Sequence, residues 1–474
     1  MAPHDAKVHR PGCPPRSVVQ APDLFAIPVL ERVLLYAPLH GLAAIVNAMA
    51  ARQIKRVVVH RSHGVSDHLR EIVQIATSKA DVPLPKSGEV EPDFLGLLPT
   101  RRCNLACRYC GFWTATEPSE DMDLQVAHDA VTWHVEHIRR SGGTHAEIHF
   151  FGGEPFCAPQ ILELAVPLGR RRAREAGLTV RFEAATNGAF SAELGRWAAN
   201  NLDRIVLSLD GPADIQNHHR PGADGTGSFD QAVRSARIFS LGNAELSLRA
   251  CVTARTVESM PDTAAWFVHE FVPTAVSFEP LQPSDRSAAA GLFPPEAWQF
   301  AVGFIQAAEI LEAHGVEPVY PTADISARQV SFCPVGRDAL IVSPDGTVSA
   351  CYLLPRDWER RGLNLRLGRL HHSRMELDPE RVNAARQLNV WNKARCQACF
   401  CRWHCAGGCH VNHDVTGQPG TYDGLCHQAR IISLRNILHA MGEDNLVAEW
   451  LANRETAEGS LSRPSDLLVE AAEW

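Results

Sequence analysis

The sequence of 474 residues has no long apolar run. Its most apolar early stretch, Val33 to Ala51, is interrupted by Pro38, His40, Gly41 and Asn47, which are costly in a lipid-spanning helix. A membrane is therefore not an expected partner. Positive charge is also in short supply: 46 Lys and Arg stand against 54 Asp and Glu, for a net charge of -8, and the basic residues are scattered. With no basic excess to offset a phosphate backbone, nucleic acid is not an expected partner either. The opening residues, Met1 to Pro15, lack the apolar centre of a secretory signal, so a cytoplasmic location is expected. No internal repeat is visible.

Cysteine, by contrast, is plentiful. Fourteen cysteines in a chain expected in a reducing compartment argue for metal or redox chemistry and against disulfides. They are unevenly spread. Cys103, Cys107 and Cys110 form one group, Cys333 and Cys351 a pair, and Cys396, Cys399, Cys401, Cys405, Cys409 and Cys426 a second dense group. Cys13, Cys157 and Cys251 stand alone.

The patterning divides the chain. Residues 1–80 read as a small α+β unit, with short apolar runs at Phe25–Leu30 and Val33–Tyr36 and helical stretches at about Leu39–Ile54 and Val65–Ala76. Residues 81–93 are Pro-rich and polar and read as a linker. Over 94–315 strands alternate with helices. Phe94–Thr100, Ala146–Phe151, Thr179–Thr186, Arg204–Leu209, Ala244–Thr253 and Thr274–Phe278 read as buried strands, which predicts an α/β fold with a partial (β/α)6 TIM-like barrel. Residues 316–442 are loop-rich and cysteine-dense, ending in a helix at about Gln428–Met441. Residues 443–474 read as a C-terminal helix and a tail that is loosely ordered beyond Glu458. In barrels of this kind, active-site residues sit on the loops that leave the C-terminal ends of the strands.

The first cysteine group follows the first predicted strand with the spacing CxxxCxxC. Three thiolates on one tight loop can hold three irons of a four-iron cluster and leave the fourth iron open. An open position is where a substrate or cofactor binds, as in catalytic zinc sites. A structural zinc site borrowing His149 is the competing reading, but structural zinc favours paired CxxC knuckles.

Written out, Cys103-Asn104-Leu105-Ala106-Cys107-Arg108-Tyr109-Cys110 resembles the signature of the radical SAM family. The resemblance implies S-adenosylmethionine (SAM) on the open iron and its reductive cleavage to a 5'-deoxyadenosyl radical. Gly152-Gly153-Glu154-Pro155 is similar to the family's GGEP motif, which meets the methionine amino group. Thr186-Asn187-Gly188 and Ser208-Leu209-Asp210-Gly211-Pro212 end the third and fourth predicted strands, where the family places ribose and carboxylate contacts, and Arg220 follows. Tyr109, Gly152, Gly153, Glu154, Asn187, Ser208, Asp210 and Arg220 are thus the implied cofactor contacts. Taken singly, Thr-Asn-Gly and Asp-Gly are also common turn chemistry.

The C-terminal cysteines resemble a SPASM domain: Cys333, Gly346 and Cys351, then Cys396, Cys399, Cys405, Cys409 and Cys426. By that resemblance Cys396, Cys399, Cys405 and Cys426 hold one auxiliary four-iron cluster. Cys333, Cys351 and Cys409 supply three ligands to another, making three clusters in all. A fourth ligand for that cluster would come shortly before Cys333, and Thr322 to Phe332 contains no cysteine. Zinc ribbons are the alternative for CxxC-like knuckles. Cys401 is an extra cysteine that reads as a ligand, a redox thiol or, preferred here, a buried small residue.

SPASM enzymes mostly modify ribosomally made peptides, so the resemblance implies a maturase acting on a precursor peptide, with a flavodoxin or ferredoxin as reductant. The N-terminal unit is then a candidate for recognising a leader sequence. A sulfatase maturase generating formylglycine is the alternative. Such enzymes typically carry Asp just after the cysteine matching Cys351, where this chain has Tyr352-Leu353-Leu354. A non-catalytic electron carrier is a third reading, with no use for the GGEP stretch. Tyr352, Asp345, Glu279 and Cys401 are catalytic candidates by position only.

Overall fold

The computed structural model describes residues 23–60, 66–112, 120–413, 418 and 421–462. The chain divides into one unit made of Met1–Ala80 with Asp466–Trp474, and a second spanning Asp81–Ser465. Cys13 and Val65 lie outside the described residues.

In the first unit, strands β1 (Phe25–Val29), β2 (Arg32–Ala37) and β3 (Leu42–Asn47) form an antiparallel sheet in that order. Helices at Ala48–His60 and Asp67–Ala76 follow. The expected helix over Leu39–Ile54 is corrected: its first half is β3. The β-branched pair Ile45-Val46 sits opposite Leu34 and Val33, so the second edge of β2 is paired along its whole length. The helix starts only after Asn47, whose side chain accepts a hydrogen bond from Ala50 N at 2.8 Å, as a capping residue does. Leu24, Val33, Leu35, Ala51, Ile54 and Leu69 form the buried core of this unit.

The second unit is organised by one sheet of eleven strands. Strands β4 (Leu95–Leu97), β5 (His145–Phe150), β6 (Thr179–Thr186), β7 (Arg204–Ser208), β8 (Glu245–Val252), β9 (Ala275–Pro280) and β10 (Glu317–Val319) run parallel. The first six coincide with the six strands read from the sequence. Helices such as Leu124–Arg140, Pro159–Ala176 and Phe229–Ser240 connect them. Ile148, Phe150, Phe182, Ala184, Ile205 and Leu207 are all buried, and the alternate residues of the same strands are half-buried. Phe182 meets the helix Pro159–Ala176 at Gly169, which places the buried face outward under the helices.

Beyond β4 the sheet continues through segments read from the sequence as loop. Strand β11 (Leu340–Val342) pairs parallel with β4, and β12 (Thr347–Ser349), β13 (Arg366–His371) and β14 (Arg374–Leu377) extend it antiparallel. The cysteine-dense segment is therefore built onto the barrel sheet. The last long helix is Gly424–Ala440. Helices Asp444–Ala452 and Arg454–Leu461 follow, and Leu461 is buried, so order extends past Glu458, where the sequence suggested a loose tail.

Residues 81–93 adopt no helix or strand, yet they are held. Arg386, at the end of helix Pro379–Arg386, forms a two-pronged ion pair with Asp338, with both contacts at 2.7 Å. The same guanidinium donates to Gly88 O and Glu89 O, while Asp338 accepts from Glu91 N. Both charged side chains are buried. No helix among the described residues is long and apolar enough to cross a membrane.

Candidate functional site

The unusual residues collect at the C-terminal ends of the parallel strands. The loop after β4 carries Cys103, Cys107 and Cys110 and is pinned from outside: Ala106 N donates to Pro221 O, Arg108 N to His219 O, and Arg286 to the carbonyls of Ala106 and Cys107. Cys107 is buried, and Cys103 and Cys110 are half-buried around Leu105 and Ala189. Burial pushes the Cys107 thiol up to about 12 and raises Cys103 strongly. These three thiols line a cavity of about 370 Å³ together with Gly153 and a fourth cysteine, Cys157, which sequence reasoning left standing alone. Three soft donors around one cavity fit an iron-sulfur cluster, whose binding replaces the protons that burial holds on Cys107 and Cys103.

The GGEP turn after β5 lies against that loop. Gly153 N donates to Thr100 O and Glu154 N to Arg102 O, at 3.1 and 2.8 Å. A Cβ on Gly153 would stand 2.1 Å from Arg102 O. The glycine is required by this backbone approach, so Gly153→Ala should displace the cysteine loop. Iron bound at this loop is expected to fall, while circular dichroism of the bulk fold stays near parental.

The Glu154 carboxylate is buried and accepts from Thr186 Oγ1 and Asn187 N, both at 2.7 Å, and from Phe156 N at 3.2 Å. Burial raises it to about 7 despite those donors. It ties the end of β6 to the GGEP turn and brings Asn187 Nδ2 to 3.6 Å from Cys103 Sγ and 2.9 Å from Asn104 Oδ1. After β7, Asp210 receives hydrogen bonds from Tyr109 Oη (2.6 Å), Arg220 Nε (3.0 Å) and Cys251 N (3.1 Å), with His219 Nδ1 at 3.1 Å. The Arg220 guanidinium, followed by His219, holds Asp210 well below the usual carboxylate range against the cost of burial. Ser208 ends β7, half-buried and paired with Arg249 of β8. The expected cofactor contacts thus fall into two connected sets, Glu154 with Asn187 beside Cys103, and Asp210 with Tyr109 and Arg220.

The C-terminal thiols form two neighbourhoods. Burial raises Cys405 far above its usual range, and the nearby Cys396, Cys426 and Cys399 add to it. Burial likewise pushes Cys333 up to about 11 and Cys351 to about 12, with Cys409 the neighbour common to both. The buried Lys393 lies within electrostatic range of Cys396, Cys405, Cys333 and Cys409, and its ammonium donates to Ala406 O at 2.7 Å. Cys399 behaves oppositely: a hydrogen bond from Cys401, reinforced by Arg430, draws it well below the usual thiol range. Cys401 itself is buried, with Sγ 4.0 Å from Ala429 O.

His413, Asp423 and Cys426 offer ligand-type atoms within 4.8 Å of one another. Burial disfavours a charged His413, but Asp423 and the Cys426 sulfur reverse this and hold it at about 10. His413, Asp423 and Arg430 were not singled out from the sequence, because nothing in their spacing links them to cysteines.

A second cavity, of about 430 Å³, lies where the barrel meets this cysteine region. Glu279 and Arg249 line it, with Tyr320, Tyr352, Cys333, Cys351 and Cys409 among its other walls. Of the four catalytic candidates, Glu279 and Tyr352 therefore come together here. Glu279 is ion-paired with Arg249. Tyr352 has its ring 4.6 Å from Phe151 and 6.1 Å from Phe94, and its hydroxyl lies beneath Gly96, where a Cβ would meet it at 2.8 Å. Burial lifts its phenol well above the usual value. The structure does not bring Asp345 or Cys401 to this cavity. Asp345 closes the β11–β12 turn through Thr347, and Cys401 is enclosed beside the Gly424–Ala440 helix.

Residues 97–243 match the radical SAM superfamily. The chain carries a radical SAM domain. It is 26% identical over 168 residues to the cysteine-type anaerobic sulfatase-maturating enzyme of Clostridium perfringens, which covers 35% of this chain and 45% of that enzyme. The chain thus spans less than half the length of that relative. It is 27% identical over 284 residues to the PqqA peptide cyclase of Ruegeria pomeroyi, covering 57% of this chain and 72% of the cyclase. Among solved structures, native anSMEcpe with bound AdoMet superposes with a TM-score of 0.56 at 19% identity, covering 75% of this chain and 98% of that one. The chain therefore shares that fold over three quarters of its length.

Proposed function

We propose that the chain is a radical SAM maturase that takes a hydrogen atom from a ribosomally made precursor peptide and installs a crosslink or another oxidative change. The observation that carries this reading is the convergence of Cys103, Cys107 and Cys110 on one cavity, beside the GGEP turn and Asn187. When bound, the cluster and SAM supply a carbon-centred radical able to abstract hydrogen. The chain's own residues bind and orient: Glu154 fixes the β6 end, and Arg220, with Asp210 and Tyr109, offers a cation for the SAM carboxylate. Two further four-iron clusters are assigned to Cys396, Cys399, Cys405 and Cys426 and to Cys333, Cys351 and Cys409. The cavity lined by Glu279 and Arg249 is the proposed place for the peptide residue that reacts.

Relatives that are peptide cyclases and sulfatase maturases support peptide modification as the chemistry. The formylglycine reading has those sulfatase maturases behind it. Against it stands Tyr352, a buried phenol where an aspartate is expected. The domains are assigned as first read from the sequence, with residues 1–80 as leader-recognition unit; β1 and β3 are the edge strands of its sheet, and an extended peptide can add to such an edge. A flavodoxin or ferredoxin in the cytoplasm is the proposed source of electrons.

The test is anaerobic reconstitution followed by iron counting and a 5'-deoxyadenosine assay with SAM and a strong reductant. Roughly twelve irons per chain with nucleoside formed is the expected result. Zinc in place of iron, with no SAM cleavage, would overturn the reading.

A further inference from the structure

The sulfurs of Cys399 and Cys426 are approached by nitrogen-bearing side chains drawn from three separate segments. Arg430, on the helix Gly424–Ala440 and 1% exposed, brings Nη1 to 3.1 Å from Cys399 Sγ. Its position is fixed by Nε donating to Leu461 O at 2.9 Å and by the Tyr422 ring, 4.0 Å beneath its guanidinium carbon. Arg395 donates to Asp423 Oδ2 at 2.7 Å, which holds its guanidinium within electrostatic reach of the Cys426 sulfur. His413 places Nε2 3.4 Å from Cys426 Sγ and 3.0 Å from Asp423 Oδ1, with Nδ1 2.9 Å from Gly407 O. Asp423 also accepts from Cys426 N at 3.0 Å, which fixes it relative to the sulfur. Around Cys333, Cys351 and Cys409 the described hydrogen bonds to sulfur come from backbone amides, those of Val335, Leu353 and Asn412, and the cations in electrostatic range, Lys393 and Arg337, make no such bond.

We propose that Arg430, Arg395 and His413 are positioning residues that raise the reduction potential of the iron cluster held by Cys396, Cys399, Cys405 and Cys426, fitting it to accept the electron released on substrate oxidation. The inference rests on the function proposed above. An added electron increases the negative charge on the cluster sulfurs, and fixed donors and cations next to those sulfurs stabilise the reduced state. Asp423 offsets one of the two guanidinium charges, that of Arg395, and leaves the charge of Arg430 beside Cys399. The balance is simple: the substrate loses one hydrogen atom to the radical, a proton to solvent water, and an electron. That electron reduces the cluster by one and leaves through an external one-electron carrier of the flavodoxin or ferredoxin class.

The experiment is a redox titration followed by electron paramagnetic resonance on the reconstituted full chain and on H413Q, R430Q and R395Q, each with its iron counted. R395Q gives an independent reading should the deeply buried Arg430 prove necessary for folding. In the expected result the variants keep parental iron. One cluster then shows at least a tenfold lower ratio of reduced to oxidised form at fixed potential, about 59 mV for a one-electron couple, and the other clusters are unmoved. Unchanged midpoints at full iron, equal shifts in every cluster, or loss of about four irons would each overturn the inference. A parental protein lacking iron beyond one cluster would instead mark the failure of the functional reading, before any variant is compared.

Discussion

Replacing Cys103, Cys107 and Cys110 together by alanine should remove about four irons per chain, leave roughly eight, and abolish SAM cleavage. The size of the effect follows from how completely these sulfurs are committed. All three line one cavity, and burial holds Cys107 and Cys103 in the protonated state until metal displaces the protons. Their loop keeps its course without them, because its carbonyls and amides are fixed by Pro221, His219 and Arg286. The triple variant should therefore fold, and its remaining iron should keep the signature of the C-terminal clusters. Iron counting and a nucleoside assay check this, and unchanged iron would remove the basis for the cluster assignment.

Arg386→Ala should cost about 3–5 kcal/mol of stability, the range for removing one partner of a buried ion pair. The change strands Asp338 without its counter-charge and releases Gly88 O and Glu89 O together. Asp338 cannot easily turn away, since it sits at φ 66 with its carboxylate also accepting from Glu91 N. Urea unfolding measures the loss. Limited proteolysis should then cut first within residues 81–93, whose backbone has lost its anchor. Parental resistance to protease at that stretch would mean that the proline-rich segment is held by other contacts, such as Trp391 Nε1 donating to Pro83 O.

The same segment shows where sequence reasoning stopped. Residues 81–93 read as a linker because proline and polar residues mark irregular backbone, and the backbone is irregular; the carbonyls that Arg386 collects leave no trace in side-chain identity. The six barrel strands were legible because apolar residues recur at every second position, as Ala146, Ile148 and Phe150 do in β5, between helical stretches of longer period. Strand β3 was not, since Leu42–Asn47 contains two alanines and runs without punctuation into a helix. Strands β11 and β12, three residues each, are too short for any period to declare itself. In the site, cysteine spacing announced which thiols belong together. The donors that serve them are set by tertiary approach: Arg430 lies 31 positions from Cys399. Cys157 and Arg286 escaped for the same reason.

The pairing of β4 with β11 joins Leu95 to Leu340. At a synthesis rate of 5–20 residues per second, roughly 12–49 s separate the emergence of these two strands from the ribosome. Through that interval β4 has a free edge, and the loop that carries Cys103, Cys107 and Cys110 hangs from an unfinished sheet. A free edge of this kind invites pairing with another chain. Assembly of the first metal site is thus tied by topology to arrival of the C-terminal half, and a truncated chain ending before β11 would carry all three signature cysteines on an incomplete support.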